Sequence, residues 1–415
     1  MRILVASLGS AGDMYPFLRV ARDLAARGHD VTVLGPAVHA PMGAAAGLAY
    51  EGYGTEADYL AMLEHPDVWH PRRGFAVLWS GLVDWLEPIA ERLAAGAPDE
   101  PTALFVHPLA LPSAALARVH RPSLRVVAGW LAPSNLRSLA DPLTIGPLRI
   151  PRRLPASWRA ALWRHVDRRV IDPVALPGLN AARARHGLAP VEHYIAHIES
   201  VADASLALFP PWFAPTPSDW PRRLAEGVFP AYDPHPATLP PALAAFLDAG
   251  AAPLVFTPGS GNRQAARWFA RALAATTRLG RRAVFLTPHR AQVPAVLPAH
   301  ILWEPYVPLR ALLPRSAALV HHGGIGTTGE ALRAGVPQLV LPLAYDQFDN
   351  AARIEALGAG RGLAPWRTGP RGLASAIAAL LGAPATASAC ATAAYRMREN
   401  AAADLGAIAE RLLRA

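Results

Sequence analysis

Short apolar runs recur along the chain, separated by turn residues and by longer stretches with helical spacing. Residues 2–8 form the first run. The loop Gly9-Ser-Ala-Gly12 follows, and a helix with Pro16 near its first turn runs to about Arg27, stopped by Gly28. Residues 29–34 read as a second strand, which makes the opening βαβ unit of a doubly wound parallel sheet. Residues 102–106, 124–128 and 205–209 are further strands, apolar throughout as suits strands covered on both faces. A proline-dense stretch, 210–241, admits neither a regular helix nor a central strand, and places a domain boundary near Pro234. Beyond it, runs at 253–257, 283–287, 300–303, 317–321 and 338–341 alternate with helical spacing, most clearly at 263–279, and predict a second parallel α/β domain.

Two stretches break this rhythm. Residues 68–92 are aromatic, and the spacing Phe75, Leu78/Trp79, Leu82, Trp85/Leu86 gives a helix one apolar face, either plain core or the wall of an apolar pocket. Residues 148–169, with Trp158, Trp163 and many arginines, are amphipathic. They suit covering a cleft or resting against a membrane surface.

The glycine-rich stretch after strand 317–321 carries the chemistry. Gly323, Gly324 and Gly326 allow close backbone approach, and a helix starting near Thr327 presents free amides that favour phosphate. Adjacent strand residues point to opposite faces, so the imidazoles of His321 and His322 diverge and no shared metal is expected. Gly335 caps the helix and Pro337 opens the next strand. Asp346 then starts a helix at that strand's carboxyl end, where open α/β sheets bind ligands.

Length and composition narrow the classes. A chain of 415 residues exceeds one ordinary core, and 52% hydrophobic with 17% charged residues describes a globular protein. The formal charge of +9 raises nucleic acid, but the basic residues, all arginine, are scattered rather than striped, so no nucleic-acid partner is expected. Cys390 is the only cysteine, which excludes an intrachain disulfide. No apolar run approaches the roughly 20 residues of a membrane-spanning helix, and the expected location is cytoplasmic, with peripheral contact to the inner membrane as the alternative. A dinucleotide-dependent oxidoreductase needs Gly-x-Gly-x-x-Gly after the first strand and an acid ending the second; Gly9-Ser-Ala-Gly12 and Leu34-Gly35 supply neither.

Taken together, His322-Gly-Gly-Ile-Gly-Thr-Thr328, Ala334-Gly-Val-Pro337 and Asp346-Gln347 resemble the donor signature of GT-B nucleotide-sugar glycosyltransferases. The opening through Phe17 is similar to that of bacterial antibiotic-type transferases. With residues 67–79, 208–221 and 346–350 it also resembles the catalytic rhamnosyltransferase subunit of rhamnolipid biosynthesis. His321-His322, Thr327-Thr328 and the turn 259–262 depart from that subunit's pattern. The resemblance implies two Rossmann-like domains facing a central cleft: an acceptor domain, 1–233, and a donor domain, 234–384. A C-terminal helix, 385–415, would cross back to the first. It implies an inverting, metal-independent transferase with no cofactor beyond its co-substrate, a dTDP- or UDP-sugar, and an apolar hydroxylated acceptor. The best match is L-rhamnose moved onto a hydroxy-fatty-acid lipid; the alternatives are a UDP-sugar transferase acting on a polyketide, sterol or flavonoid-like aglycone, and a non-catalytic accessory protein.

Carried over residue by residue, the resemblance gives His322, the amides of Gly324, Ile325 and Gly326, and Thr327 to the diphosphate, with Gly259 and Ser260 as a second phosphate turn. Trp303 to Val307 would flank the nucleobase, Glu330 the ribose hydroxyls, and Asp346 and Gln347 the sugar. Glu330 reads equally as a solvated helix carboxylate, and Asp346 as a helix cap. Gly12-Asp-Met-Tyr-Pro16 makes Asp13 the expected catalytic base, with a helix-capping role competing. His107, at the end of strand 102–106, is its partner or the base in its place.

Overall fold

The computed structural model describes residues 1–415 apart from 98–99, 142–143, 152, 233–237, 365–366, 402 and 415. The chain divides into two compact units, Met1–Leu143 with Ile150–Pro234 and Ala403–Ala415, and Thr144–Arg149 with His235–Ala402. The boundary expected near Pro234 falls in 233–237, outside the described residues.

The first unit is built on β1 (Arg2–Ala6), β2 (Asp30–Pro36), β3 (Ala49–Tyr53), β4 (Thr102–Val106) and β5 (Arg125–Trp130). A hairpin, β6 (Thr144–Ile145) and β7 (Leu148–Arg149), belongs to the second unit. β8 (Ala204–Ala207) and β9 (Leu224–Ala225) then complete the first sheet. Its order is β3-β2-β1-β4-β5-β8-β9, with every pairing parallel. All five residues of β4 are buried, which is why that run is apolar without alternation. The first helix, Ala11–Ala26, begins within the loop expected at 9–12 and holds Pro16 inside, burying Met14, Phe17, Leu18 and Leu24. It ends against Gly28, whose φ of +84° suits only glycine without strain.

The second unit carries β10 (Leu254–Thr257), β11 (Ala283–Leu286), β12 (Ile301–Glu304), β13 (Ala318–His321), β14 (Gln338–Val340) and β15 (Gly360–Gly362). Their order is β12-β11-β10-β13-β14-β15, again parallel throughout. Phe256, Phe269 and Phe285 are fully buried on one face, and Leu243, Leu312 and Leu319 on the other.

The C-terminus corrects one expectation. In place of one returning helix over 385–415 there are two, Pro384–Asn400 and Leu405–Arg414. The former stays with the second unit, where Cys390 and Ala394 lie close to Gly335 of the helix Ile325–Ala334. Only the latter joins the first unit, where Glu410 accepts from Arg27 at 2.5 Å and Asp404 pairs with the same guanidinium at 3.1 Å. Among the described residues no single helix is long and apolar enough to cross a membrane. The arginine-rich helix Ala156–Val166 buries no residue, and Trp158 on it is exposed.

Candidate active site

Each sheet reverses its strand order once, between β1 and β4 and between β10 and β13. Open α/β sheets bind ligands outside the carboxyl ends of the strands at that reversal. In the first unit this brings together the loop after β1, with Gly9, Ser10 and Asp13, and the end of β4, where the His107 amide donates to Ala6 O at 2.8 Å. In the second it joins the turn at Gly259 to His322: a Cβ on Gly259 would stand 2.8 Å from the His322 ring.

Asp13 sits three residues into the first helix. Its Oδ2 accepts from the Ser10 amide at 2.7 Å and from Ser10 Oγ at 2.9 Å, so the capping role expected of it is real. Burial nevertheless pushes the carboxyl above its ordinary value, the Ser10 donors pulling the other way, which makes it a stronger base than a solvated aspartate. Gly9 is required here, because its φ is +123° and a Cβ on it would stand 2.5 Å from Asp13 Oδ2.

His107 is 7% exposed, and its Nδ1 accepts from the Leu109 amide at 3.2 Å. The ring proton is therefore on Nε2, and burial lowers the pKa to about 3. A neutral imidazole in that tautomer offers a donor, not a base, to a hydroxyl at Nε2.

Beside these groups lies an open cleft, walled by Leu8 and Gly9 of the β1 loop and by Tyr53, Tyr59, Leu82 and Trp85. The aromatic segment 68–92 is not one helix. It breaks at Gly81 into Gly74–Ser80, a 3₁₀ turn Val83–Trp85 and Leu86–Ala94. Phe75 and Trp79 pack on Tyr194, at 5.9 and 5.1 Å between rings, whereas Trp85 meets Tyr53 at 5.8 Å on the cleft wall. Core and pocket wall are both present, carried by different residues.

In the second unit, the His321 and His322 rings stand 6.2 Å apart with their planes at 89°. His321 is structural: it pairs with Gln338 Oε1 at 3.0 Å, and its Nδ1 accepts from the Gly323 amide at 3.2 Å. His322 lies between Gly259 and Gly324, where a Cβ on either would strike its ring. Its Nδ1 is buried without a hydrogen-bond partner among the described residues, and burial lowers its pKa to about 4. The helix Ile325–Ala334 begins immediately after, so the amides of Ile325, Gly326 and Thr327 form the first turn, which an α-helix leaves without intrahelical partners. Glu330 pairs with Arg333 at 3.4 Å. Trp303 donates to Thr287 O at 3.0 Å under the Arg290 guanidinium, and Val307 is a core residue, leaving only its backbone for recognition.

Residues 271–409 match the family described as erythromycin biosynthesis protein CIII-like, C-terminal domain. The O-mycaminosyltylonolide 6-deoxyallosyltransferase of Streptomyces fradiae is 31% identical over 98% of this chain and 95% of its own length. This chain belongs to the antibiotic-type glycosyltransferases of the GT-B fold. Among solved structures, the glycotransferase of kitacinnamycin aligns at TM-score 0.73 and 20% identity over 99% of both chains. The spinosyn rhamnosyltransferase complexed with thymidine diphosphate aligns at 0.62 and 24% over 96% of both.

In this glycosyltransferase the sugar-side residues differ in detail from the sequence reading. Asp346 precedes the helix Gln347–Ala356 but makes no side-chain cap to it; its Oδ2 accepts from Asn350 Nδ2 at 2.7 Å. Gln347 is 2% exposed, and its Oε1 is taken by the amides of Leu343 and Ala344 at 2.8 and 3.1 Å. Its carbonyl thus shapes the loop, and only its amide nitrogen remains for a sugar hydroxyl. Sequence reasoning missed Asn350, which also donates to Gly323 O at 2.9 Å and ties Asp346 to the glycine turn. It missed Gln292 as well, whose amide grips Asn262 O and the Ala265 amide and fixes the turn after Gly259. The i,i+4 spacing of Asp346 and Asn350 was the available signal for the first; nothing local marks the second.

Proposed function

We propose that this enzyme moves a 6-deoxyhexose from a thymidine diphosphate sugar, with inversion, onto a hydroxyl of an apolar polyketide-type aglycone. The observation that carries the reading is Asp13, a carboxylate made more basic by burial, packed against Gly9, which lines the aromatic cleft. The acceptor hydroxyl gives its proton to Asp13 as its oxygen bonds to the anomeric carbon, and the bond from that carbon to the diphosphate breaks. The released diphosphate carries the charge to the turn of the second unit. His322 and the amides of Ile325, Gly326 and Thr327 are the groups assigned to hold it. Backside attack inverts the anomeric carbon. The cleft's rigid rings, Tyr53, Tyr59 and Trp85, suit a ring-bearing aglycone better than the flexible lipid implied by the rhamnolipid likeness. The Streptomyces fradiae relative is named for a deoxysugar and for O-mycaminosyltylonolide, and the spinosyn enzyme for rhamnosyl transfer and thymidine diphosphate, which favours the same donor class.

Thermal melting with dTDP, UDP and NAD tests the donor, since a ligand stabilises in proportion to its affinity for the folded state. dTDP should give the largest shift; a larger one with UDP moves the donor to a uridine-linked sugar. Asp13→Asn should lower turnover by about 10²–10⁴-fold with dTDP affinity unchanged. Half-activity in that variant would remove Asp13 as the base.

A further inference from the structure

Beneath the β1 loop lies a second imidazole that the reaction as described does not use. His39 closes the 3₁₀ turn Ala37–His39 after β2, is 7% exposed, and places Nε2 3.3 Å from Gly9 O. A carbonyl oxygen only accepts, so Nε2 carries the hydrogen and His39 is the donor. That carbonyl belongs to the same peptide group as the Ser10 amide, which donates to Asp13 Oδ2 at 2.7 Å. The two bonds lie on opposite sides of one planar unit, and each polarises the other. Gly9 at φ +123° lets this peptide press against the carboxylate, and a side chain there would displace Asp13. On its other side the His39 ring meets the Tyr59 ring edge-on at 5.2 Å, and Tyr59 is a wall of the aromatic cleft.

We infer that His39 is a positioning residue for the catalytic base: acting through the Gly9–Ser10 peptide, it fixes the direction of the Ser10 amide and with it the orientation and basicity of Asp13. This rests on the reading of Asp13 as the base. His39 itself stays neutral in the working range, because burial holds its pKa down. The elements around it bring Tyr50, Glu51 and Tyr53 from β3, and Glu56, Asp58, Tyr59 and Glu64 from the helix Glu56–Glu64. Tyr50 and Tyr53 are pushed up by burial, and Asp58 accepts from Thr55 Oγ1 at 2.7 Å, whereas Asp13 is joined to His39 through the Gly9–Ser10 peptide and is the group whose titration His39 moves. An acceptor seated against Tyr59 is one ring away from this relay.

The test is the pH profile of kcat/KM in full-length His39→Leu, His39→Gln and His39→Asn variants, with melting curves alongside. Gln keeps a donor where Nε2 stood; Leu removes it, and Asn moves it to the Nδ1 position. His39→Leu and His39→Asn should move the acidic limb up by about one pH unit and lower kcat/KM roughly tenfold. His39→Gln should restore both, with dTDP affinity unchanged in all three. An acidic limb that stays in place in Leu and Asn, or the same loss in Gln as in Leu, overturns the inference. If His39→Leu does not fold, the contrast between Gln and Asn decides it. Asp13→Asn separates the two readings: activity surviving in that variant sinks the base assignment, whereas its loss together with an unmoved limb in the His39 variants sinks only the relay.

Discussion

At the scale of the residue, Asp346 depends on a neighbour that gives no sign of itself in a motif search. Asn350 is fully buried and spends both amide hydrogens, one on Asp346 Oδ2 and one on Gly323 O, while its own Oδ1 has no partner among the described residues. Asn350→Ala removes the link between the sugar-side carboxylate and the glycine turn. KM for the nucleotide sugar should rise about tenfold with a smaller change in free dTDP affinity, and the buried Gly323 carbonyl loses its partner at a cost of about 1–3 kcal/mol. Equal losses for sugar nucleotide and free nucleotide would show that Asn350 serves the turn alone. Asp13, His322 and Asp346 could be picked out as candidates in the sequence because each lies in a recognisable run that follows a strand. Asn350, Gln292 and His39 were not, because each works through a carbonyl 27 to 30 residues away, at Gly323, Asn262 and Gly9 respectively.

At the scale of the element, the apolar central strands were readable and the edges were not. β4 and β13 are buried runs that periodicity finds directly, whereas β3 (Ala-Tyr-Glu-Gly-Tyr), β9 and β15 (Gly-Arg-Gly) are short or polar and are strands only because a neighbour pairs with them. The first helix was expected after the loop 9–12 with Asp13 as a possible cap; the Ser10–Asp13 box sets its start at Ala11. The aromatic segment shows the limit of a single apolar face. Trp79 is 3% exposed against Tyr194, and Trp85 stands on the cleft wall. Trp79→Ala should therefore destabilise the first unit by about 3–5 kcal/mol, seen as a lowered melting temperature. Trp85→Ala should leave melting nearly unchanged and raise the acceptor KM. The reverse pattern would move the cleft wall into the core and take the acceptor reading with it.

At the scale of the whole molecule, each unit hides imidazoles that must stay neutral. Burial lowers His107 to about 3 and His197 to about 4 in the first unit, and His321 to about 3 and His322 to about 4 in the second. In the unfolded chain these rings take up protons below about pH 6.5. Between that value and 3–4 the unfolded state binds more protons, so stability rises with pH and is lost as pH falls, by about 1.4 kcal/mol per pH unit for each ring once well below 6.5. Asp13, Glu199 and Glu304 act the other way, since burial raises their pKa values and favours the native state at low pH, whereas His39 and His289 add to the effect of the four rings. Melting should therefore drop steeply from pH 7 to pH 5 in both units. His322→Gln should flatten the drop for the second unit only, and dTDP should restore part of it in the wild type, because a diphosphate beside His322 favours the protonated ring. A melting temperature that is flat over this range would mean that these rings are not held neutral. A His107 ring protonated on both nitrogens could not accept from the Leu109 amide, so that tautomer would then have to be abandoned with them.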